Sequence, residues 1–275
     1  MSSFVAILLC AVFGILVGMA SGLLGIGGGG LISPFLRIVM GVPGLVATAT
    51  SLMAIIPTAI SGTLGHVRTR TINLRMGLLL GLAGCLCSPL GARAADACGG
   101  FVVLMGVAAV GIYTSYTMFR KYFALRRAHK AAVESGDTAG DKPFEPTAIE
   151  FKPKVVAGII AAGMVTGFMS GFLGLGGGFI MIPIITGVFG LSMKEASGTS
   201  LMAIAILALP GVITQFTLGN VDLAYGLAVA LGSIPGAFIG GLLAPKVPER
   251  HLRLLFGIVF VLIALSLVVN DIVLL

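Results

Sequence analysis

A glycine-rich motif occurs twice in the chain, and both copies lie in apolar sequence. Ser21–Pro34 reads SGLLGIGGGGLISP, and Ser170–Pro183 reads SGFLGLGGGFIMIP. The second copy begins 149 residues after the first (170 − 21), and eight of the fourteen aligned positions are identical without a gap. Each glycine inside a helix is destabilising by about 1 kcal/mol relative to alanine. Two such clusters therefore indicate a backbone conformation or a close contact that only glycine permits.

The surrounding sequence is typical of a membrane protein. The chain is 57% hydrophobic and 10% charged, with a mean hydropathy of +1.12, whereas a soluble domain carries about 25% charged residues. Uncharged runs long enough to span a bilayer recur along it, and the longest, Val155–Met193, has 39 residues. We therefore predict an all-α polytopic membrane protein. The first segment is expected to be retained rather than cleaved, because no lysine or arginine precedes it.

The duplication extends beyond the glycine motif. Ala47–Ile55 and Ala196–Ile204 share seven of nine residues at the same offset of 149. Each half holds about five apolar segments, at 4–22, 28–40, 46–65, 74–92 and 99–119, and at 155–171, 177–191, 196–218, 223–244 and 254–270. The predicted domains are a first transmembrane repeat at 1–119, a basic cytoplasmic linker at 120–154 and a second transmembrane repeat at 155–275.

The distribution of basic residues predicts that the two repeats are inverted relative to each other. The loop after the third segment is basic in the first half (Arg68, Arg70, Arg75), and its counterpart at 219–222 carries no cation. The loop after the fourth segment shows the reverse pattern. By the positive-inside rule, equivalent loops then face opposite sides of a cell inner membrane. Five transmembrane or half-spanning segments per repeat put the linker in the cytoplasm and both termini outside.

The first two segments of each half are predicted to form a hairpin whose glycine turn lies inside the membrane; two full crossings with a turn at the membrane surface are the alternative. Without the turn, each helix has about 17 residues and a length of about 26 Å, against a hydrocarbon core of about 30 Å. Backbone N–H groups at the start of the second helix attract anions, because a helix N-terminus carries a partial positive charge. The predicted substrate-binding glycines are Gly27, Gly28, Gly29, Gly176, Gly177 and Gly178, with structural hinges at Gly25, Pro34, Gly174 and Pro183. Close helix packing is the alternative explanation for these glycines.

Polar side chains in the third segment of each half are further candidates. We predict hydroxyl contacts to the substrate from four residues that recur at the same offset, Thr50, Ser51, Thr199 and Ser200; hydrogen bonds back to their own helix are the alternative. His66 corresponds to Gln215, and the pair is a candidate for coupling, with His66 as proton carrier. A structural role for His66 near Arg68 is the alternative. No Asp or Glu lies in the apolar segments, which disfavours a carboxylate relay for cations.

Several other function classes are disfavoured by the sequence. Gly25–Gly30 fits G-x-G-x-x-G, but we reject a dinucleotide site because no strand precedes it and no acidic residue occurs before Asp96. The cysteines and histidines have no metal-ligand spacing and form no nucleophile constellation. We therefore predict no enzyme activity, no cofactor and no metal site. The sequence has no basic stripe interleaved with aromatic residues, so we predict no nucleic-acid partner.

The two glycine motifs, each followed by TSLMAI, resemble the TauE/SafE sulfite exporter family, also called the toluene-sulfonate uptake permease family. The resemblance covers both halves and implies a permease for small, often sulfur-containing anions such as sulfite and organosulfonates. The residues it carries over are the motif glycines and prolines, namely Gly25, Gly27, Gly28, Gly29, Pro34, Gly174, Gly176, Gly177, Gly178 and Pro183. It leaves the substrate, the direction of transport, the coupling ion and the oligomeric state open.

Together, these observations predict a secondary transporter that moves a small anion by alternating access. The expected partners are that anion, the lipid bilayer and a coupled proton or other ion. An anion channel and a transporter of a non-sulfur organic anion are the alternatives.

Overall fold

The computed structural model describes residues 3–134, 147 and 150–273, and the regular structure within them is helical. The helices are α1 (Ser3–Leu24), α2 (Gly29–Ile38), α3 (Gly44–Arg68), α4 (Leu74–Glu134), α5 (Pro153–Leu173), α6 (Gly178–Val188), α7 (Met193–Thr217), α8 (Leu223–Leu243) and α9 (Glu249–Val273). Seven segments of the described chain are long and apolar enough to cross a membrane, and they lie in α1, α3, α5, α7, α8 and twice in α4. The prediction of an all-helical, multi-pass protein is confirmed.

Helix α4 contains two spans because it bends at Gly99, whose φ of 80° and ψ of 162° are not helical. We call the spans α4a (Leu74–Gly99) and α4b (Phe101–Ala124). A β-carbon added at Gly99 would have nothing within 4 Å. Glycine is therefore required at the bend for its left-handed backbone and not for a close contact.

The two arms of each glycine hairpin differ in length, and the prediction of about 17 residues in each arm is wrong. Helices α1 and α5 have 22 and 21 residues, whereas α2 and α6 have 10 and 11. At 1.5 Å per residue, the first arm is about 32 Å long and the second about 16 Å. The second arm is shorter because α2 and α6 end shortly before Gly41 and Gly190, whose positive φ angles of 69° and 71° do not continue a helix. Each hairpin therefore joins a full-length helix to a half-length helix.

The two halves pack crosswise, so that the first helix of each half lies against the fourth helix of the other. Helix α1 packs on α8, and α5 packs on α4a. A β-carbon added at Gly14 would lie 2.5 Å from the Val229 carbonyl oxygen, and one at Gly163 would lie 2.6 Å from the Leu80 carbonyl oxygen. Gly163 follows Gly14 by 149 residues, and Val229 follows Leu80 by the same number. The contacts between the halves are therefore reciprocal.

Helices α3 and α7 pack against each other between the two crosswise pairs. Their facing side chains form a buried apolar cluster of Leu52, Ile55, Ala59, Leu201, Ile204 and Ala208. Each member from α3 has its counterpart in α7 at the offset of 149. The paired third helices thus form the middle of the protein, where the two glycine turns also lie.

The segment predicted as a linker, 120–154, starts as a helix, because α4 continues to Glu134. Residues 135–146 and 148–149 lie outside the described residues. The Thr147 N–H and hydroxyl donate to the two carboxylate oxygens of Glu195 at 2.8 and 2.7 Å. Glu195 also forms a capping box with Ser192 at the start of α7. The end of the segment is therefore attached to the second half, while the domain boundaries remain a prediction.

Candidate functional site

Both glycine motifs form turns that require glycine backbone geometry. In the first turn, the φ angles of Gly25, Gly27 and Gly28 are 74°, 78° and 86°. The equivalent residues of the second turn are Gly174, Gly176 and Gly177, with angles of 67°, 79° and 74°. A residue with a side chain loses about 1–2 kcal/mol in this left-handed region. The turn geometry therefore accounts for three glycines in each motif.

The two turns contact each other directly. A β-carbon added at Gly29 would lie 2.9 Å from the Gly174 carbonyl oxygen, and one at Gly178 would lie 2.6 Å from the Gly25 carbonyl oxygen. Both distances are shorter than any ordinary contact of a β-carbon. The first residue of each short helix is therefore glycine because it packs on the backbone of the opposite turn. The predicted site glycines of the two halves are brought together.

Two serines clamp the turns from the opposite halves. The Ser51 hydroxyl, from α3, lies 2.8 Å from the carbonyl oxygens of both Gly174 and Thr48. The Ser200 hydroxyl, from α7, lies 2.7 Å from the Gly25 carbonyl oxygen and 2.9 Å from that of Ser197. Each hydroxyl thus bonds both to its own helix and across to the other half. Substrate contact by these serines stays a prediction.

The threonines beside these serines hold the starts of the fourth helices. The Thr50 hydroxyl accepts a hydrogen bond from the backbone N–H of Asp222 at 2.9 Å. The Thr199 hydroxyl accepts one from the backbone N–H of Asn73 at 3.0 Å. Asp222 and Asn73 are themselves equivalent positions, 149 residues apart. Both threonines are buried and bound to protein in this structure, and their substrate contact also remains a prediction.

Several backbone N–H groups in each turn have no acceptor among the residues that the structure describes. In the first turn, the N–H of Gly25 donates to the Ser21 carbonyl, and the next N–H that donates to a backbone carbonyl is that of Leu31. In the second turn, the N–H of Gly174 donates to the Ser170 carbonyl, and the next N–H that donates to a backbone carbonyl is that of Ile180. Within the described chain, the N–H groups of 26–30 and 175–179 therefore lack a protein acceptor, and all ten residues are buried. A buried N–H group without an acceptor is unusual in a folded protein.

Two serines with unpartnered hydroxyls lie close to the turns, and they are not among the residues predicted from the sequence. Ser21 and Ser170 are fully buried, and neither Oγ has a hydrogen-bond partner. A β-carbon added at Gly28 would lie 3.6 Å from the Ser21 Cβ, and one at Gly177 would lie 3.3 Å from the Ser170 Cβ. Both serines are the first residue of the duplicated motif, and this was the signal that could have identified them.

Two isoleucines fill the space between the turns. A β-carbon added at Gly27 or Gly176 would lie 3.1 Å from Ile55 Cγ2, and Ile204 atoms approach both positions to 3.2 Å. Ile55 and Ile204 are equivalent residues of α3 and α7, and both are fully buried. Apolar side chains therefore occupy the space between the two turns.

The predicted hinge prolines lie inside the short helices, Pro34 in α2 and Pro183 in α6. A proline inside a helix leaves the carbonyl four residues earlier without its usual donor. For Pro183 this carbonyl belongs to Phe179, and the Thr114 hydroxyl of α4b donates to it at 3.5 Å. Cavities of about 260 and 210 Å³ border the two prolines. The short helices thus have free volume beside them, while the hinge role stays a prediction.

His66 and Gln215 both connect to neighbouring backbone. His66 Nε2 donates to the Gly22 carbonyl oxygen at 2.8 Å, and Nδ1 lies 2.7 Å from the Thr71 hydroxyl, from which the neutral ring accepts. Gln215 Nε2 donates to the Ala92 carbonyl oxygen at 3.3 Å. These contacts give each residue a structural role. Ion or proton coupling through His66 and Gln215 stays a prediction, and the hydrogen bonds explain both residues without it.

The polar groups at the turns are backbone amides and hydroxyls. In the part of the chain that the structure describes, no group of three or more His, Cys, Asp and Glu side chains could hold a metal ion. Amides at a helix N-terminus and serine hydroxyls donate hydrogen bonds to an anion without a compensating fixed charge. Such donors favour an anion, and anion binding at the turns stays a prediction.

Comparisons with known proteins agree with this architecture. The family model described as sulfite exporter TauE/SafE matches residues 10–267. The probable membrane transporter protein YunE of Bacillus subtilis is 29% identical over 270 residues, which cover 95% of this chain and 97% of that protein. A probable membrane transporter protein of Methanocaldococcus jannaschii is 26% identical over 263 residues, which cover 90% of each chain. No solved structure matches the chain.

The helical spans, the paired buried turns and these relatives define a multi-pass membrane transporter. The family match extends over nearly the whole sequence, including both glycine motifs. The chain belongs to the sulfite exporter TauE/SafE family. The resemblance that the motifs indicated is thereby confirmed.

Proposed function

We propose that the protein is a secondary transporter that moves a small, sulfur-containing anion, such as sulfite or an organosulfonate, across the cell inner membrane. One observation carries the proposal: two touching glycine turns present buried N–H groups without acceptors and two unpartnered serine hydroxyls. The family description supports sulfur in the substrate. A non-sulfur organic anion would use the same donors and is the alternative cargo.

In the proposal, the anion binds to the backbone amides of the turns. The N-termini of α2 and α6 start at Gly29 and Gly178 and carry the positive ends of their helix dipoles. The hydroxyls of Ser21 and Ser170 add one donor on each side. Ser51 and Ser200 keep the turns in place in the closed state. Their predicted substrate contacts require these clamps to open during transport.

The reciprocal contacts between the halves support an inverted-repeat transporter. Equivalent residues meet across the centre, as expected when two copies of one unit face each other through a two-fold relationship. The basic residues support a cytoplasmic segment at 120–154 and extracytoplasmic termini. Transport then consists of a rocking of one repeat against the other, which exposes the turns to each side in alternation.

The apolar centre supports a carrier over an open channel. Ile55 and Ile204 fill the space between the turns, so that an ion has no continuous polar path in the closed state. An alternating-access carrier passes through such a closed state in each cycle, whereas a conducting channel does not. A unitary conductance in a planar bilayer would instead assign the protein as a channel.

The proposal is tested by removing the unpartnered hydroxyls. Reconstituted Ser21→Ala and Ser170→Ala variants are assayed for counterflow of radiolabelled sulfite and methanesulfonate. Each variant loses a hydrogen bond to a charged ligand, so we expect the KM to rise about tenfold or more. The thermal unfolding temperature should stay the same or rise, because the lost hydroxyl has no protein partner.

Ser88→Ala is the matched control, because the Ser88 hydroxyl is also buried and unpartnered but lies against Gly211. It should leave the KM unchanged. Wild-type KM values for every transported anion in both Ser21→Ala and Ser170→Ala would refute the proposed site. Transport of carboxylates but not of sulfur oxyanions would keep the site and assign the alternative cargo.

A further inference from the structure

A second group of polar side chains lies away from the glycine turns, where α4b, α6 and α9 come together. Lys121 stands near the end of the span Phe101–Ala124. Its Nζ donates to the hydroxyl of Thr186, in the last turn of α6, at 3.1 Å. A β-carbon added at Gly187 would lie 3.3 Å from the same Nζ. Lys121 is therefore fixed against the end of α6 that is opposite to the glycine turn.

Cavities surround this lysine on two sides. One, of about 360 Å³, is lined by Thr117, Arg120, Lys121 and Ala124. The other, of about 230 Å³, is lined by Lys121, Ala124, Thr186 and Arg253. Both cavities border Lys121 and Ala124 and lie at the end of a membrane span. We call this set of lining residues the basic recess.

Arg253 lines the second cavity and has unsatisfied donors. Its side chain belongs to α9, and the residue is 8% exposed. One guanidinium nitrogen, Nη2, donates to the Glu249 carboxylate. The other two, Nε and Nη1, are buried without a hydrogen-bond partner. A buried guanidinium with unmet donors is costly, so a negative charge bound nearby would stabilise it.

The charge balance of the basic recess is positive. Among the residues that the structure describes here, Arg120, Lys121 and Arg253 supply three cations, and Glu249 supplies one carboxylate, which is already shared between Arg253 and the backbone N–H of Met193. Lys121 uses one of its three ammonium hydrogens on Thr186 and keeps two for a ligand. Attraction to the α6 C-terminus explains the position of Lys121. It does not explain the unpartnered nitrogens of Arg253.

We propose that the basic recess binds a phosphate- or sulfate-type oxyanion at the membrane surface, separately from the transport site. Guanidinium and ammonium donors together match the oxygens of such a group. The ligand is either a free oxyanion or the phosphate of an anionic lipid headgroup, since basic pockets between spans recognise both by the same chemistry. The proposal does not depend on what the glycine turns bind.

The test uses the full-length protein in nanodiscs of zwitterionic lipid. Binding of inorganic phosphate and sulfate is measured by calorimetry at constant ionic strength, and binding of phosphatidylglycerol by native mass spectrometry. We expect saturable binding that weakens about tenfold or more in Lys121→Gln, because a hydrogen bond to a charged group is lost. Arg126→Gln is the control, because Arg126 is exposed on α4 beyond the span and outside the recess.

Each result of these binding measurements either supports or overturns the proposed oxyanion site. Binding of free phosphate or sulfate supports a free oxyanion as ligand, whereas binding of phosphatidylglycerol alone supports a lipid headgroup. The single variant Arg253→Gln leaves Glu249 without its partner. It is therefore compared with the double variant Glu249→Gln/Arg253→Gln, which removes both charges. Both variants should bind the ligand as weakly as Lys121→Gln. Absence of saturable binding in the wild type, or equal weakening in Arg126→Gln, would overturn the proposal.

Discussion

Ser51 donates a hydrogen bond across the two halves of the protein to the carbonyl of Gly174, at 2.8 Å. The equivalent hydroxyl of the second half makes the equivalent bond, so each glycine turn is held by the repeat to which it does not belong. Any motion of one repeat against the other must therefore strain or break these two bonds. They are the polar contacts through which a rocking motion would act on the turns.

Removal of one clamp should destabilise the closed state. Ser51→Ala leaves the buried Gly174 carbonyl without a donor, so we expect the free energy of unfolding to fall by about 1–3 kcal/mol. Denaturant unfolding in detergent micelles measures it. Ser88→Ala, whose hydroxyl has no partner, should not lower stability. Equal losses in the two variants would mean that the bond to Gly174 contributes nothing.

The close approach of the turns predicts a different cost for two glycines with similar backbone. Gly25 and Gly41 both have positive φ, at 74° and 69°. A β-carbon at Gly25 would lie 2.6 Å from the Ser197 carbonyl oxygen, whereas one at Gly41 would have nothing within 4 Å. Gly41→Ala should lose about 1–2 kcal/mol of stability through strain alone. Gly25→Ala should lose several kcal/mol more of stability. Thermal unfolding and the yield of monodisperse protein measure the difference. Similar losses of stability in the two variants would contradict the close packing at Gly25.

The isoleucines between the turns should control both stability and leakage. Ile55→Ala and Ile204→Ala each leave a buried cavity, so we expect a loss of about 2–5 kcal/mol and faster passive efflux of anions from liposomes. The two losses should be similar, because the residues are equivalent. Leu209→Ala, at a position of α7 that is 46% exposed, is the control. Unchanged efflux in both isoleucine variants would show that these side chains do not close the path.

His66→Gln separates a structural role from proton coupling. A glutamine amide can donate to the Gly22 carbonyl and accept from the Thr71 hydroxyl, as Gln215 bonds to backbone in the other half. We therefore expect wild-type transport with an unchanged pH profile. His66→Leu cannot donate to that carbonyl and should lower stability by about 1–3 kcal/mol. A flattened pH profile in His66→Gln would instead identify His66 as the proton carrier.

Inverted repeats predict opposite exposure of equivalent loop positions. Arg68 and Thr217 are 149 residues apart, and both are exposed at the ends of α3 and α7. Arg68→Cys and Thr217→Cys are made in a background without the native cysteines, which are Cys10, Cys85, Cys87 and Cys98. In sealed vesicles, an impermeant thiol reagent should label one variant from outside and the other only after permeabilisation. Labelling of both from the same side would refute the inversion.

Much of the fold was predictable from the sequence, because the constraints were local or repeated. Long uncharged runs predicted the helices, and the fixed offset predicted which residues correspond. Gly25 and Gly174 could be recognised as turn residues because the left-handed backbone requires glycine at those places. The alignment showed that the turns were equivalent, and the structure shows that they touch.

The parts that could not be predicted depend on contacts between distant segments. The half-length of α2 and α6 was not predicted, because an uncharged run does not show where a helix inside it ends. Ser21 and Ser170 looked like ordinary small residues until their lack of a partner became visible. Ile55 and Ile204 are apolar residues in an apolar helix, and only the geometry shows that they lie between the turns.

The crossed clamps also set an order for biosynthesis. The Gly25 carbonyl receives its hydrogen bond from Ser200, which follows it by 175 residues. The first turn therefore emerges from the ribosome and enters the membrane long before its clamp has been synthesised. Neither repeat supplies the serine that bonds to its own turn. The first turn therefore lacks this hydrogen bond until α7 has been inserted into the membrane.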